Sequence, residues 1–139
     1  MNIRPFQDSD RVAVIALWRD CELVKPQNDP GRDIDRKLAV GPELFLVAER
    51  EGQIVASVMA GYEGHRGWIN YLAVAPSSRR QGLGEAMMAA AEQALRAAGC
   101  PKINLQVRDT NLDVIAFYRA IGYLEDPVVS MGKRLEHDQ

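Results

Sequence analysis

Leu72-Ala73-Val74-Ala75-Pro76-Ser77-Ser78-Arg79-Arg80-Gln81-Gly82-Leu83-Gly84 reads as a strand that runs into a glycine-bearing turn and leaves it as a helix. Pro76 has no N–H to give to a sheet ladder, so the strand ends there. Gly82 and Gly84 lack the Cβ atoms that would keep a ligand away from the backbone. The first N–H groups of the following helix are unpaired, and its N-terminus carries about half a positive charge, a setting suited to a phosphate or pyrophosphate. Arg79 and Arg80 add mobile charge beside it. Taken alone, two glycines one residue apart could as well serve only to turn the chain. Two other phosphate loops do not fit, because Gly84 is followed by Glu85-Ala86 where an NTPase loop needs Lys-Ser/Thr, and Met87 stands where a dinucleotide fingerprint has its third glycine.

On the N-terminal side, Asn2 to Phe6 reads as an opening strand, and Asp8, Ser9 and Asp10 place capping side chains before a helix. Val14, Leu17, Trp18 and Cys21 give that helix one apolar face. Lys25 to Gly31 breaks regular structure, and a short helix is expected from about Asp33 to Ala39. Leu44 to Glu49, Gln53 to Tyr62 and Trp68 to Val74 read as an antiparallel meander joined by glycine turns at Gly52 and at Gly64 to Gly67. Beyond Gly84, the stripe Met87, Ala90, Ala91, Ala94, Leu95 and Ala98 makes a helix of small side chains that ends at Gly99. Alternation from Ile103 to Val107 gives another strand, parallel to the last of the meander because a helix crosses between them. Asn111 caps a helix with Val114, Phe117, Tyr118 and Ile121 on its buried face; Val128 to Leu135 is expected to be a final strand, with Glu136 to Gln139 frayed.

A chain of 139 residues, 26% charged and 47% apolar, suits one α/β domain over residues 1–139. A net charge of −2 gives no reason to expect nucleic acid or an anionic membrane as partner. No apolar signal core or membrane span is visible, so the cytoplasm is the expected location. Cys21 and Cys100 are far apart and have no histidine cluster with them, so no metal is expected and both read as small core or turn residues. His65, in a hairpin turn, reads as solvated rather than catalytic.

Arg79 to Gly84, with its lead-in strand, resembles the Gln/Arg-x-x-Gly-x-Gly/Ala signature of the GNAT superfamily of N-acetyltransferases. Asn111-Leu112-Asp113-Val114-Ile115-Ala116-Phe117-Tyr118-Arg119-Ala120-Ile121-Gly122-Tyr123 is similar to its second motif. The stretches Asn28-Asp29-Pro30, Gly61 to Gly67, Gly99 to Ile103 and Gly132 to Leu135 resemble the bacterial YpeA-type branch. The resemblance implies a mixed sheet whose parallel strand pair splays apart to admit the pantetheine arm of acetyl-CoA. It places the pyrophosphate on backbone N–H groups of Arg80, Gln81, Gly82, Leu83, Gly84 and Glu85 beside Arg79, and the arm along Leu72, Ala73 and Val74, touched by Asn111. A main-chain N–H of Leu72 to Val74 would stabilise the charge on the reacting carbonyl, and Tyr118 would act as general acid to the CoA thiolate. Asn28 and Asp29 would lie over the acceptor pocket, although an Asx turn accounts for them equally well. The acceptor is an amine, of a small molecule or of a peptide or protein, and a homodimer is open, with the last strand as the edge to pair.

The general base is not given by the motifs. Some relatives carry a glutamate where this chain has Gln106, and an amide cannot take a proton. A water chain, a carboxylate such as Glu43 or Glu63, or an acceptor amine of low pKa remain open. A second reading keeps the fold as an acyl-CoA-binding sensor with little catalysis; Gln106 speaks for it and Tyr118 against it.

Overall fold

The computed structural model describes residues 1–138. Strand β1 (Asn2–Pro5) is followed by a short 3-10 turn and helices α1 (Arg11–Asp20) and α2 (Pro30–Val40). Strands β2 (Phe45–Arg50), β3 (Gln53–Tyr62) and β4 (Gly67–Val74) come next, then α3 (Leu83–Ala97), β5 (Ile103–Leu105) and α4 (Leu112–Ala120). The five strands form one sheet in chain order, antiparallel from β1 to β4 and parallel between β4 and β5. The expected mixed α/β architecture is therefore present.

Local chemistry sets the element boundaries. Asp10 does not cap α1 with its side chain. It takes the Gln7 N–H at 2.8 Å and both ends of the Arg4 guanidinium at 2.7 and 2.9 Å, fastening β1 to the start of the helix. Helix α2 begins at Pro30, earlier than expected, because the Asp29 carboxylate accepts the Arg32 N–H at 3.1 Å and Pro30 supplies a preset φ at the first helical position. The β2–β3 hairpin turns on Glu51 (φ 53°) and Gly52 (φ 78°), the two left-handed residues that a tight two-residue loop requires.

The helices cover opposite faces of the sheet. Helices α1 and α2 bury Val14, Leu17, Trp18 and Ile34 against Phe45, Val47, Met59 and Ala73. On the other face α3 lays Met87, Met88, Ala91 and Leu95 on Ala48, Val58, Ala60 and Ile69, and α4 adds Tyr118.

Strand β4 is irregular in its middle. Asn70 pairs with Met59 and Ala73 with Ser57, so Tyr71 and Leu72 together face the single residue Val58. This is a β-bulge, and Tyr71 occupies its left-handed position at φ 52°. The side chains show its effect directly. Ile69 lies on the α3 face, and beyond the bulge Leu72 and Val74 lie there, while Tyr71 and Ala73 lie on the α1/α2 face.

Pairing between β4 and β5 is brief: Gly67, Trp68 and Ile69 against Ile103, Asn104 and Leu105. Strand β5 ends at Leu105 rather than at Val107, because β4 turns away from it at the bulge. The final strand expected over Val128 to Leu135 does not form. That segment is irregular, with Val128, Val129, Met131 and Leu135 exposed. The chain around it is tied to β5 and its flanks by side chains, Lys102 and Asn104 holding Asp126 and Gln106 bonded to Ser130, and no backbone ladder joins them among the described residues. The tail beyond it is anchored rather than frayed, since Asp138 makes a two-pronged pair with Arg36 of α2 at 2.9 Å; Gln139 lies outside the described residues.

Gly67 begins the β4–β5 contact where a Cβ would lie 2.8 Å from Cys100 Sγ and 3.3 Å from Leu95. Gly67→Ala is expected to cost about 1–3 kcal/mol by overpacking, measured as a lower urea midpoint. Cys100→Ala in the same chain should recover part of the loss.

Candidate active site

Three parts meet on the α3 side of the splayed strands. The first is the open half of β4, from Asn70 to Val74, which has no partner strand on the β5 side. The second is the loop into α3. Arg80 (φ 63°) and Gly82 (φ 75°) are both left-handed, a backbone course that turns successive N–H groups outward into an anion-binding concavity. A Cβ at Gly82 would meet nothing within 4 Å, so this face of the loop is open to a ligand. Gly84 is needed for a different reason than ligand approach, as its Cα is the seat of the Phe117 ring, whose atoms would lie 3.1 and 3.2 Å from a Cβ.

The side chains of the loop are anchored outward from it. Arg79 Nε donates to the Val74 carbonyl at 3.3 Å and Arg79 Nη2 approaches Cys21 Sγ, which itself reaches the same carbonyl. Gln81 Oε1 accepts from Arg50 at 2.6 Å, tying the loop to the β2–β3 hairpin. Leu83 is buried in the core, and Glu85 sits in the first turn of α3.

The third part is α4. Asn111 caps it, its Oδ1 accepting the Val114 N–H at 3.4 Å. Tyr118 is buried in the core cluster against which Leu72, Val74 and Leu105 pack, edge-on to Phe117 and to Tyr123. Burial alone pushes its phenol up to about 12; no hydrogen bond contributes. Tyr123, by contrast, gives its hydroxyl to Glu92 at 2.6 Å. Leu72, Val74, Leu83 and Tyr118 thus converge in one cluster, whereas Asn28 and Asp29 lie away from it, on a groove of about 920 Å³ between α1 and the start of α2. Asp29 is occupied as a helix cap, and Asn28 Oδ1 accepts from Arg134 at 3.4 Å.

Of the carboxylates weighed as bases, Glu63 is bonded within its own turn. The Gln106 amide donates to Ser130. Glu63 takes the backbone N–H groups of His65 and Arg66, which fixes the exposed turn that carries His65. Glu43 and Glu63 do line one cavity, of about 400 Å³, with Lys37, Tyr62 and Trp68. The Lys37 ammonium, buried under α2, donates to the Ala60 carbonyl; burial lowers its pKa against the opposing pull of Glu43.

On the α1/α2 face a polar chain reaches the bulge that sequence reading did not single out. Trp18 Nε1 donates to Ser57 Oγ at 2.9 Å, and Ser57 Oγ donates to the Tyr71 carbonyl at 3.1 Å. The Tyr71 ring stacks on Trp18 at 3.8 Å, and its hydroxyl donates to Asp33 Oδ2 at 2.6 Å, which with burial raises the phenol pKa well above its ordinary value. The available signal was Ser57 itself, a lone hydroxyl in the apolar run Ile54 to Ala60.

A sequence profile described as the Acetyltransferase (GNAT) family matches residues 11–123. The chain belongs to this family. GNAT membership is joined by 50% identity to an acetyltransferase of Yersinia enterocolitica over 139 residues, covering 100% of this chain and 99% of that protein. The protein is accordingly an acetyl-CoA-dependent acetyltransferase. Among solved GNAT structures, Naa20 of Chaetomium thermophilum, in complex with a bisubstrate analogue, is 29% identical with a TM-score of 0.69, over 88% of this chain and 70% of that one. AAC(6')-Iy, in complex with the bisubstrate analogue CoA-S-monomethyl-acetylneamine, shares the fold at 18% identity and a TM-score of 0.78, over 96% of this chain and 97% of that one. No helix among the described residues is long and apolar enough to cross a membrane.

Because the folded Tyr118 phenol titrates at about 12 and a free one near ~10, its contribution to stability is whole below pH ~10 and lost as pH rises through its folded pKa. The urea midpoint of the wild type should therefore fall across this interval more steeply than that of Tyr118→Phe.

Proposed function

We propose that the protein acetylates a primary amine by direct attack of the neutral amine on acetyl-CoA within a ternary complex. The observation that carries this reading is the open, bulged half of β4, set between a helix start with an outward-turned loop and a buried tyrosine. Acetyl-CoA supplies an activated thioester carbonyl. In this reading the N–H groups from Arg80 to Glu85 and the start of α3 hold its pyrophosphate, with Arg79 beside them. Main-chain groups of Leu72, Ala73 and Val74 take the pantetheine arm as they would an added strand, and Asn111 flanks it. An N–H in Leu72–Val74 faces the carbonyl oxygen as negative charge develops there; a fixed donor of this kind is worth about 10²–10³ in rate.

Tyr118 donates its hydroxyl proton toward the departing sulfur. A phenol near its ordinary ~10 is already protonated at physiological pH, and burial pushes that of Tyr118 higher still, so the donor form is always present. Gln106 cannot take a proton, which favours an acceptor that needs little help to lose one: a free α-amine titrates near ~8 and a lysine near ~10.4. Peptide N-termini and small amines of low pKa are the acceptor classes that suit this site.

Incubation with acetyl-CoA and a mixed panel of N-terminal peptides, internal-lysine peptides and small amines, read by mass spectrometry, identifies the acceptor class. Tyr118→Phe should retain acetyl-CoA binding while turnover drops roughly 10²–10⁴-fold. Undiminished turnover would remove Tyr118 from the mechanism.

A further inference from the structure

A tyrosine in the left-handed region is strained, because its Cβ crowds the backbone in a way that glycine avoids. Such a residue persists only where its surroundings hold it. Tyr71 is held at three points that come from three separate elements. Its carbonyl accepts from Ser57 of β3, its ring lies on Trp18 of α1, and its hydroxyl is bonded to Asp33 of α2. Ser57 and Trp18 are both fully buried, and the Trp18 indole N–H, by donating to Ser57 Oγ, leaves the serine proton free to point at the Tyr71 carbonyl. A buried hydroxyl in an otherwise apolar stretch of β3 has no part in the packing of that strand that an alanine could not play. The hydroxyl has two partners instead, the Trp18 indole N–H that it accepts and the Tyr71 carbonyl to which it donates, and through the second it acts at the bulge.

The peptide unit that begins with the Tyr71 carbonyl ends with the Leu72 N–H. Fixing the carbonyl on one side therefore fixes the direction of that N–H on the other, since the peptide is planar. Leu72 is on the opposite face of the sheet, in the cluster with Tyr118. We propose that Ser57 and Trp18 are positioning residues for acetyl transfer: through the Tyr71 carbonyl they hold the Leu72 N–H aimed at the thioester carbonyl oxygen. This rests on the assignment of a main-chain donor within Leu72–Val74, and the experiment separates the two.

The probe is acetyl-CoA labelled with ¹³C at the thioester carbonyl, bound to the protein and read by isotope-edited infrared spectroscopy, with no acceptor needed. In the wild type, the hydrogen bond draws the carbonyl stretch below its frequency in free acetyl-CoA. In Ser57→Ala most of that displacement is lost, while the dissociation constant for acetyl-CoA stays within about fivefold of wild type, the worth of one hydrogen bond. Trp18→Phe retains the stacked ring and removes only the indole donor; it should give a smaller loss of displacement in the same direction, and it carries the test if Ser57→Ala does not fold by circular dichroism. A wild-type displacement that survives intact in these folded variants overturns the proposal and leaves the β4 donor standing. A wild type with no displacement overturns both.

Discussion

Backbone N–H and C=O groups removed from water must find partners, and the second half of β4 is where this protein leaves that requirement open on one side. Its pairing with β5 stops after Ile69, yet the strand continues to Val74. Each neighbouring element can be understood as a response to that opening. The Val74 carbonyl is taken by Arg79 and Cys21, and the crossover helix α3 starts at the mouth of the gap, its first N–H groups free. An unpaired strand edge invites aggregation unless it is short, covered or used. Here it is short, and the proposed function is its use, an extended thioester-bearing arm standing in for the missing strand.

The two faces of the sheet divide the work. On the α3/α4 face, apolar packing brings Leu72, Val74 and Tyr118 together and raises the tyrosine's pKa by desolvation alone. The other face has the polar anchoring, with Trp18, Ser57, Tyr71 and Asp33 joined through one another. A non-glycine residue in a sparsely populated backbone region costs about 1–3 kcal/mol, and buried hydrogen bonds return about 1 kcal/mol each. The two hydrogen bonds of Tyr71, with its ring stacked on Trp18, are thus of the size needed to hold it where it is without a glycine.

Much of this was legible in the sequence because it is local. Period-two and helical patterns placed β3 at its observed bounds, the α3 start lay at the glycines, and Asn111 announced the cap of α4. What was not legible depends on partners distant along the chain. Asp29-Pro30 is a helix start, but Lys25 to Gly31 is so rich in turn formers that the start is masked. Val128 to Leu135 has the composition of a strand, and composition does not say whether a neighbouring edge is in register to receive it; β5 offers three residues, and the segment is reached only by the Gln106 side chain just beyond them. The bulge is invisible to pattern reading because Tyr71 and Leu72 are ordinary strand residues, and it takes Ser57, fourteen residues earlier, to hold one of them out of line.

The change of parity in β4 has a consequence for how this chain can vary. Up to Ile69 odd-numbered positions face α3; from Leu72 onward even-numbered ones do. Removing one residue between Asn70 and Leu72 would restore an ordinary ladder and, in the same step, rotate everything downstream by half a turn, so that Val74 and the entrance to the glycine loop would present their opposite sides. The length of this short stretch is therefore as constrained as its composition. Substitutions can accumulate across β4 as long as the count is kept, whereas a single insertion or deletion there has no neutral form.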